Sequence, residues 1–149
     1  MDKAKTSDVI ALSIKPVYAD AILSGDKTVE FRKNGIPEDI KSIVLYATQP
    51  VQQIVGYFDV KSCEVDDPSK LWENYGGCGH ITFDDFNSYY KGKKIGKCFL
   101  IENAYRFEKP IPLDKCKSFS KSPQSFAYLL KTEWKNIKRK KLAIHIQQP

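Results

Sequence analysis

A long strand pattern interrupted by one glycine constrains the fold of this chain more than any other feature. Residues 53–65 have the composition of a single strand, and Gly56 lies within it. A glycine inside a strand is typical of a bulge or a bend. The preceding run, residues 42–48, is rich in β-branched and aromatic residues, which predicts a strand buried on both faces. Together the two segments predict a sheet that curls towards a barrel.

Short helices and strands are interleaved along the rest of the chain. Further strands are predicted at residues 9–14, 27–33, 93–113 and 142–146, and helices at residues 16–23, 66–75 and 82–90. A last helix is predicted to open at Ser122-Pro123, with an apolar stripe of Phe126, Leu130, Trp134 and Ile137. The strands lack the regular alternation with long helices that a doubly wound sheet requires. We therefore expect an α+β fold, a small and partly closed β-barrel with short helices over its ends and a C-terminal helix.

Length and composition favour one globular domain over residues 1–149. The chain is 42% hydrophobic and 12% aromatic, which suits a core that needs no disulfides. No apolar run is long enough to span a membrane and the first residues lack an apolar signal region, so we expect a cytoplasmic protein without membrane contact, and a monomer.

The four cysteines, Cys63, Cys78, Cys98 and Cys116, are irregularly spaced. Cys78 and His80 could supply two metal ligands, but the other two would have to come from distant cysteines. We therefore expect no metal and no cofactor.

Positive charge is concentrated at the C-terminal end. Residues 1–108 contain 14 basic and 16 acidic side chains, whereas residues 109–149 contain 10 basic and 2 acidic ones. This asymmetry is typical of a surface that faces a polyanion, although a solvated helix without a partner has the same pattern. The candidate contacts to a nucleic-acid backbone are the basic residues of this end: Lys131, Lys135, Lys138, Arg139, Lys140 and Lys141.

A cluster of charge follows the first helix. Gly25 stands where that helix needs a left-handed residue to end, and the chain then enters the strand at residues 27–33. Side chains alternate along a strand, so Glu30 and Arg32 share the face opposite the apolar residues. Together with Lys27 they could grip a phosphate or a planar polar ligand. The alternative is an exposed strand edge whose charged side chains simply face solvent.

Four separated segments resemble the ASCH domain, a branch of the PUA-like β-barrels. They are residues 12–16 (LSIKP), 25–32 (GDKTVEFR), 46–50 (YATQP) and 55–56 (VG). The family signature G-x-K-x-x-E-x-R is matched in full by Gly25, Lys27, Glu30 and Arg32. The resemblance covers residues 9–113, which leaves residues 114–149 as a basic helical extension, and residues 122–126 are similar to an extension of longer members.

The resemblance implies a cleft beside the first helix that is lined by the signature residues. Family members are proposed to bind RNA or to act on it. We therefore expect a protein of RNA metabolism or transcription regulation that binds RNA, a nucleotide or a nucleoside. The candidate ligand-binding residues are Lys27, Thr28, Glu30, Arg32, Tyr46 and Thr48. Tyr46, Tyr57 and Trp72 are candidates for stacking on a base, with core packing as their alternative role.

A hydrolase that processes RNA or a nucleoside is the alternative function. Some small bacterial relatives are amidohydrolases that deacetylate N4-acetylcytidine, and others are described as ribonucleases. The amidohydrolase lysine corresponds to Lys27 and a later acid to Asp85, but the threonine nucleophile corresponds to Glu30, which has no hydroxyl. Lys27, Glu30 and Asp85 are the candidate catalytic residues, and Asp85 is also the predicted partner of Thr82 in a helix cap. A protein-interaction module is a third interpretation.

Overall fold

The computed structural model describes residues 4–140 and the backbone of residues 144–147. Its elements are β1 (Lys5–Ile14), α1 (Pro16–Ser24), β2 (Val29–Lys33), β3 (Ser42–Ala47), β4 (Gln53–Asp66), α2 (Pro68–Tyr75), α3 (Phe83–Tyr90), β5 (Gly96–Pro112), β6 (Phe126–Leu130), α4 (Lys131–Lys140) and β7 (Ile144–Gln147). The first three helices lie where the sequence predicted them. Lys141 and the start of the predicted terminal strand lie outside the described residues.

The described strands form one mixed sheet. Its order is β2-β5-β4-β3-β1-β6, and β7 pairs with β5. β1 and β3 are parallel, and the other neighbouring pairs are antiparallel. The α+β fold class is confirmed. Within residues 4–140 and 144–147 no ladder joins β2 to β6, so the sheet is open where the sequence predicted a partly closed barrel.

Gly56 produces an irregularity in the long strand. The pairing of β4 with β5 shifts register between Ile54 and Gly56. A Cβ atom at Gly56 would lie 2.3 Å from the carbonyl oxygen of Tyr105 and 2.9 Å from a methyl group of Leu23. Only glycine therefore allows β4 to approach both β5 and α1 this closely, which confirms the bulge predicted from the sequence.

The sheet is covered on both faces. All six residues of β3 are buried, and successive side chains of a strand point to opposite faces. Ile43 and Leu45 pack in one apolar cluster with Leu23 of α1, whereas Val44 packs in another with Ile137 of α4. The prediction that this strand is buried on both faces is confirmed. A third cluster joins β2 and β5 to α2 and α3.

The C-terminal segment differs from the prediction. Residues 126–130, predicted as the first turns of a helix, form β6 and pair antiparallel with β1, with Leu12 opposite Phe126. The edge of β1 has backbone donors and acceptors that require partners, and their pairing outweighs the helical spacing of the apolar residues. Helix α4 therefore begins only at Lys131, and its apolar face is provided by Trp134 and Ile137.

Candidate functional site

A cavity of about 660 Å³ opens between the end of β1, the start of α1, β2 and α3. Its lining combines three kinds of side chain. The aromatic members are Tyr18, Phe31 and Tyr89, and the hydroxyl members include Ser13, Thr48 and Ser88. The charged members are Lys15, Lys27, Glu30, Arg32 and Asp85. Three cations and two carboxylates give this lining a net positive charge.

A chain of three charges, two of them buried and one half-buried, lies in the cavity wall. The Lys27 Nζ atom is 3.2 Å from Glu30 Oε1, and Arg32 Nη1 is 3.3 Å from Glu30 Oε2. Lys27 is 2% exposed and Glu30 5% exposed. Each carboxylate oxygen of Glu30 therefore contacts one cation, and the three groups together have a net charge of +1.

The ends of α1 and β2 place these charges. Gly25 ends α1 in the left-handed region at φ 91°, and its N–H donates to the Ile22 carbonyl. The Lys27 N–H then donates to the Ala21 carbonyl over 3.0 Å. After this tight exit the Lys27 side chain lies beside Tyr18 of α1 and contacts Glu30 three residues later.

The loop before α3 provides a further partner for Lys27. Its Nζ donates to the Gly79 carbonyl over 2.6 Å, and the Thr28 N–H donates to the Cys78 carbonyl over 2.9 Å. A Cβ atom at Gly79 would lie 2.4 Å from the ring of Phe31. Glycine at this position therefore lets the loop approach β2 closely enough for its carbonyl to reach the ammonium group.

Arg32 connects β2 to the segment before β6. Its Nη1 contacts the Ser13 carbonyl at 3.4 Å, and its Nη2 contacts Ser125 Oγ at 3.3 Å. That segment is held to β1 because the Ser13 N–H donates to the Ser125 carbonyl and the Ser13 hydroxyl donates to the Pro123 carbonyl. Gln124 of the same segment lines the cavity, so the C-terminal extension contributes to the site.

Two tyrosines line the cavity together with the charges. Burial raises the pKa of the Tyr18 hydroxyl, and the carboxylates of Asp85 and Glu30 raise it further. Burial is also the main cause of the raised pKa of Tyr89, whose hydroxyl accepts from the Lys33 N–H over 3.1 Å. Both hydroxyls are therefore protonated near neutral pH. The Lys27 Nζ atom lies 5.2 Å from the Tyr18 ring centroid, within the range of a cation–π contact.

The structure brings together five of the seven residues predicted for ligand binding or catalysis. Lys27, Glu30, Arg32, Thr48 and Asp85 all line the cavity. Asp85 lies on α3, whose first residues are capped by the Thr82 hydroxyl accepting from the Asp85 N–H over 3.1 Å.

Other predicted residues are placed elsewhere. Tyr46 is fully buried, and its hydroxyl accepts from the Ser122 hydroxyl over 2.9 Å. Tyr57 is buried in the same cluster, so both rings pack in the core rather than face a base. Thr28 is half-buried just before β2, outside the lining of this cavity.

The predicted backbone contacts occupy a separate surface. Lys131, Lys135, Lys138, Arg139 and Lys140 are exposed on α4, which covers the sheet face opposite α1. The cavity lining comes from other elements. The Lys138 Nζ atom lies 5.5 Å from the Trp134 ring centroid, so one of these cations also covers an aromatic side chain.

Sequence reasoning missed several polar and aromatic lining residues, among them Ser13, Tyr18, Ser88, Tyr89 and Gln124. Helical spacing contained a usable signal for two of them, since Ser88 and Tyr89 follow Asp85 by three and four residues and must share its face. Gln124 is more than 90 residues from β2 in sequence, and nothing in its own segment indicated that it would reach the cavity.

Metal-binding clusters and membrane-spanning helices are absent from the described part of the chain. Residues 4–140 and 144–147 contain no group of three or more His, Cys, Asp or Glu that could hold a metal ion. No helix in the same residues is both long enough and apolar enough to cross a membrane.

The mixed sheet, its covering helices and the charged cavity make up a small α+β domain. The ASCH domain model matches residues 12–111, a range that contains the whole G-x-K-x-x-E-x-R signature and most of the cavity. The chain belongs to the ASCH domain family, which confirms the resemblance drawn from the sequence.

Similar proteins agree with this assignment. The chain is 32% identical over 130 residues to a Zymomonas mobilis protein named ASCH domain-containing ribonuclease, covering 85% of this chain and 87% of the relative. The crystal structure of ASCH from Zymomonas mobilis superposes with a TM-score of 0.78 at 28% identity, covering 95% of this chain and 99% of the other. The chain is also 28% identical over 126 residues to large ribosomal subunit protein uL22 of Ureaplasma parvum, covering 84% of this chain and 40% of that protein.

Proposed function

We propose that this ASCH domain protein binds RNA by holding one nucleotide in the cavity beside α1. The observation that carries the proposal is the Lys27–Glu30–Arg32 charge chain, whose net positive charge lies in the wall of a cavity of about 660 Å³. Cavities of a few hundred to about 1,000 Å³ are typical of small-molecule sites. A phosphate would satisfy the excess positive charge.

The lining suits each part of a nucleotide. Lys27 and Arg32 use only some of their donors on Glu30 and nearby carbonyls, so donors remain for phosphate oxygens. Tyr18 and Tyr89 offer aromatic faces for a base, and a base stacked on an aromatic ring contributes about 1–3 kcal/mol. Protonated hydroxyls offer polar contacts to the sugar and the base edge. The name of the 32% identical relative supports RNA as the ligand class.

Binding can be tested on one residue of the charge chain. Arg32→Gln keeps a polar side chain but removes the positive charge. Lys109→Gln is the control, because it removes a positive charge from an exposed site on β5. Hydrogen bonds to charged groups contribute about 1.5–3 kcal/mol, so Arg32→Gln should weaken single-stranded RNA binding at least about tenfold. Fluorescence anisotropy at two salt concentrations measures the affinity, and thermal melts check folding. Equal affinities for the two variants would refute the proposal.

RNA cleavage is a second candidate, favoured by the ribonuclease name of the relative and by an exposed carboxylate at the cavity. In this reaction Asp85 takes the proton of a ribose 2′-hydroxyl, whose oxygen then attacks the adjacent phosphorus. Lys27 and Arg32 stabilise the charge on the phosphoryl oxygens. The bond to the 5′-oxygen breaks and protonated Tyr18 donates to that oxygen, leaving a 2′,3′-cyclic phosphate and a 5′-hydroxyl.

Cleavage and binding are separable. Asp85→Asn should abolish cleavage of single-stranded RNA while leaving affinity within about twofold, because a neutral amide cannot accept the proton. Product analysis by gel and mass spectrometry would detect the cyclic phosphate. Cleavage equal to wild type in Asp85→Asn would refute this role. Release of cytidine from N4-acetylcytidine, lost in Lys27→Ala, would instead favour the amidohydrolase alternative.

A further inference from the structure

A second cavity lies on the other side of α3. It has a volume of about 550 Å³ and is bounded by the start of α2, by α3 and by the turn at residues 91–94. Nothing in the proposed function uses it. We refer to it as the α2–α3 groove, and the cavity beside α1 as the first cavity.

Helix α3 forms a wall of both cavities. Phe83, Phe86, Asn87 and Tyr90 line the α2–α3 groove, and their spacing of three and four residues places them on one helical face. Asp85, Ser88 and Tyr89 line the first cavity. An α-helix with its side chains is about 10–12 Å across. A single strand of nucleic acid that leaves the first cavity therefore needs to cross only one helix to enter the groove.

Aromatic rings form one side of the groove. Trp72 lies between two phenylalanines, with ring centroids 5.2 Å from Phe83 and 5.0 Å from Phe86. Phe83 is 51% exposed, which makes it one of the more exposed large apolar side chains in the described residues. An exposed ring backed by further rings is a stacking platform for a base.

Three lysines also line the groove. Lys91, Lys93 and Lys94 line the groove and are exposed, and Gly92 bends the chain between them at φ 77°. The acidic lining residue, Asp67, caps α2 by accepting from the Ser69 hydroxyl over 2.6 Å and from the Lys70 N–H over 3.0 Å. The groove therefore has three cations beside an aromatic platform and one carboxylate that is committed to its own helix.

We propose that the α2–α3 groove is a second subsite for single-stranded RNA, occupied by a nucleotide of the strand whose neighbour fills the first cavity. The base stacks on Phe83 and Trp72, and the backbone phosphates contact Lys93 and Lys94. This inference rests on the proposed function. An acidic peptide would match the lysines equally well, but the aromatic platform and the continuity across α3 favour a polynucleotide.

Two groove variants test the inference. Phe83→Ala removes the exposed ring, and Lys93→Glu combined with Lys94→Glu reverses two charges without touching the packed rings. The matched control is Lys61→Glu combined with Lys109→Glu, two exposed lysines outside both cavities. Each protein is titrated with a long oligouridylate and with uridine monophosphate, and melting curves establish that each is folded.

The expected result separates the two sites. Each groove variant should bind the oligouridylate about five- to a hundredfold more weakly than the control, and the lysine pair should lower the dependence of log affinity on log salt by about 0.7 for each lost phosphate contact. Affinity for uridine monophosphate should be unchanged in the groove variants and reduced in Arg32→Gln.

Other results overturn the inference in distinguishable ways. If wild type binds oligouridylate and Arg32→Gln weakens it while the groove variants match the control, the second subsite fails and the first cavity stands. If wild type binds no RNA, the proposed function fails and this inference fails with it. If oligoglutamate binds and only the lysine pair abolishes that binding, while oligouridylate affinity is unaffected, the groove belongs to an acidic protein partner.

Discussion

Glu30 and Glu133 are both buried, 5% and 7% exposed, but their surroundings differ in kind. Glu30 contacts two cations, Lys27 and Arg32, at the wall of the first cavity. Glu133 of α4 accepts from the N–H groups of Lys117 and Ser118 over 2.9 and 3.0 Å, and from the Ser118 hydroxyl. Burial alone therefore does not mark a functional carboxylate.

The partners determine what each carboxylate can do. The neutral donors around Glu133 each supply one hydrogen, and the carboxylate uses all of them. Because these donors belong to the loop before β6, Glu133 holds α4 to that loop. An ammonium group has three donors and a guanidinium group five. The cations around Glu30 therefore have more donors than its two oxygens can accept, and both cations line the cavity. The arrangement at Glu133 is structural, whereas the arrangement at Glu30 is the one that we propose for binding an anion.

Glu30→Gln should produce the largest loss in the free energy of unfolding. Removing the carboxylate charge leaves the buried Lys27 and the half-buried Arg32 without an anion, and breaking a buried ion pair in this way costs about 3–5 kcal/mol. Urea denaturation should show a loss of this size in the free energy of unfolding. Glu108→Gln, on an exposed part of β5, is the control. Equal stability of the two variants would mean that the charge chain does not stabilise the fold.

Glu133→Ala should cause the second-largest loss of stability, and it should leave RNA binding unchanged. It leaves two N–H groups and a hydroxyl without their acceptor, and an unsatisfied buried donor costs about 1–3 kcal/mol. Unfolding by urea should detect the loss, while RNA affinity measured well below the melting temperature should match wild type. A drop in affinity without a loss of stability would contradict the structural role assigned here to Glu133.

The clustering of the charges around Glu30 could be predicted from the sequence. Lys27, Glu30 and Arg32 lie within a span of six residues just after a helix exit, so short-range geometry alone brings them together. The bulge at Gly56 was also predictable, because a glycine inside a strand usually marks a bulge, a bend or a close backbone approach. These features depend on neighbours in the chain.

The remaining features depend on distant parts of the chain. The Gly79 carbonyl that binds Lys27 comes from 52 residues away, and Ser125 is 93 residues from Arg32. Residues 126–130 have apolar spacing compatible with a helix, and only the free edge of β1 makes them a strand. Tyr46 belongs to one of the segments that resemble the ASCH domain, but its burial depends on how other parts of the chain cover the sheet. Contacts between residues so far apart in the chain cannot be predicted from the local pattern of one sequence.

Gly79→Ala tests the long-range contact from the backbone side. The new methyl group would overlap the Phe31 ring, so the ring or the loop must shift, and we expect the contact between the Gly79 carbonyl and Lys27 to weaken. Overpacking of this kind costs about 1–3 kcal/mol, and the ligand affinity of the first cavity should fall with it. Gly77→Ala is a matched control, because a Cβ atom there meets nothing within 4 Å. If the two variants were equally stable, the close approach of this loop would not be needed.

Substitution on the outer face of α4 should have the smallest effect on stability. Lys135→Gln combined with Lys138→Gln changes exposed residues, so the free energy of unfolding should move by less than about 0.5 kcal/mol. If α4 contacts the RNA backbone, the slope of log affinity against log salt should fall by about 0.7 for each lost phosphate contact. An unchanged slope would assign RNA binding to the cavities on either side of α3. The outer face of α4 would then be a solvated surface whose helix is held in place by Glu133.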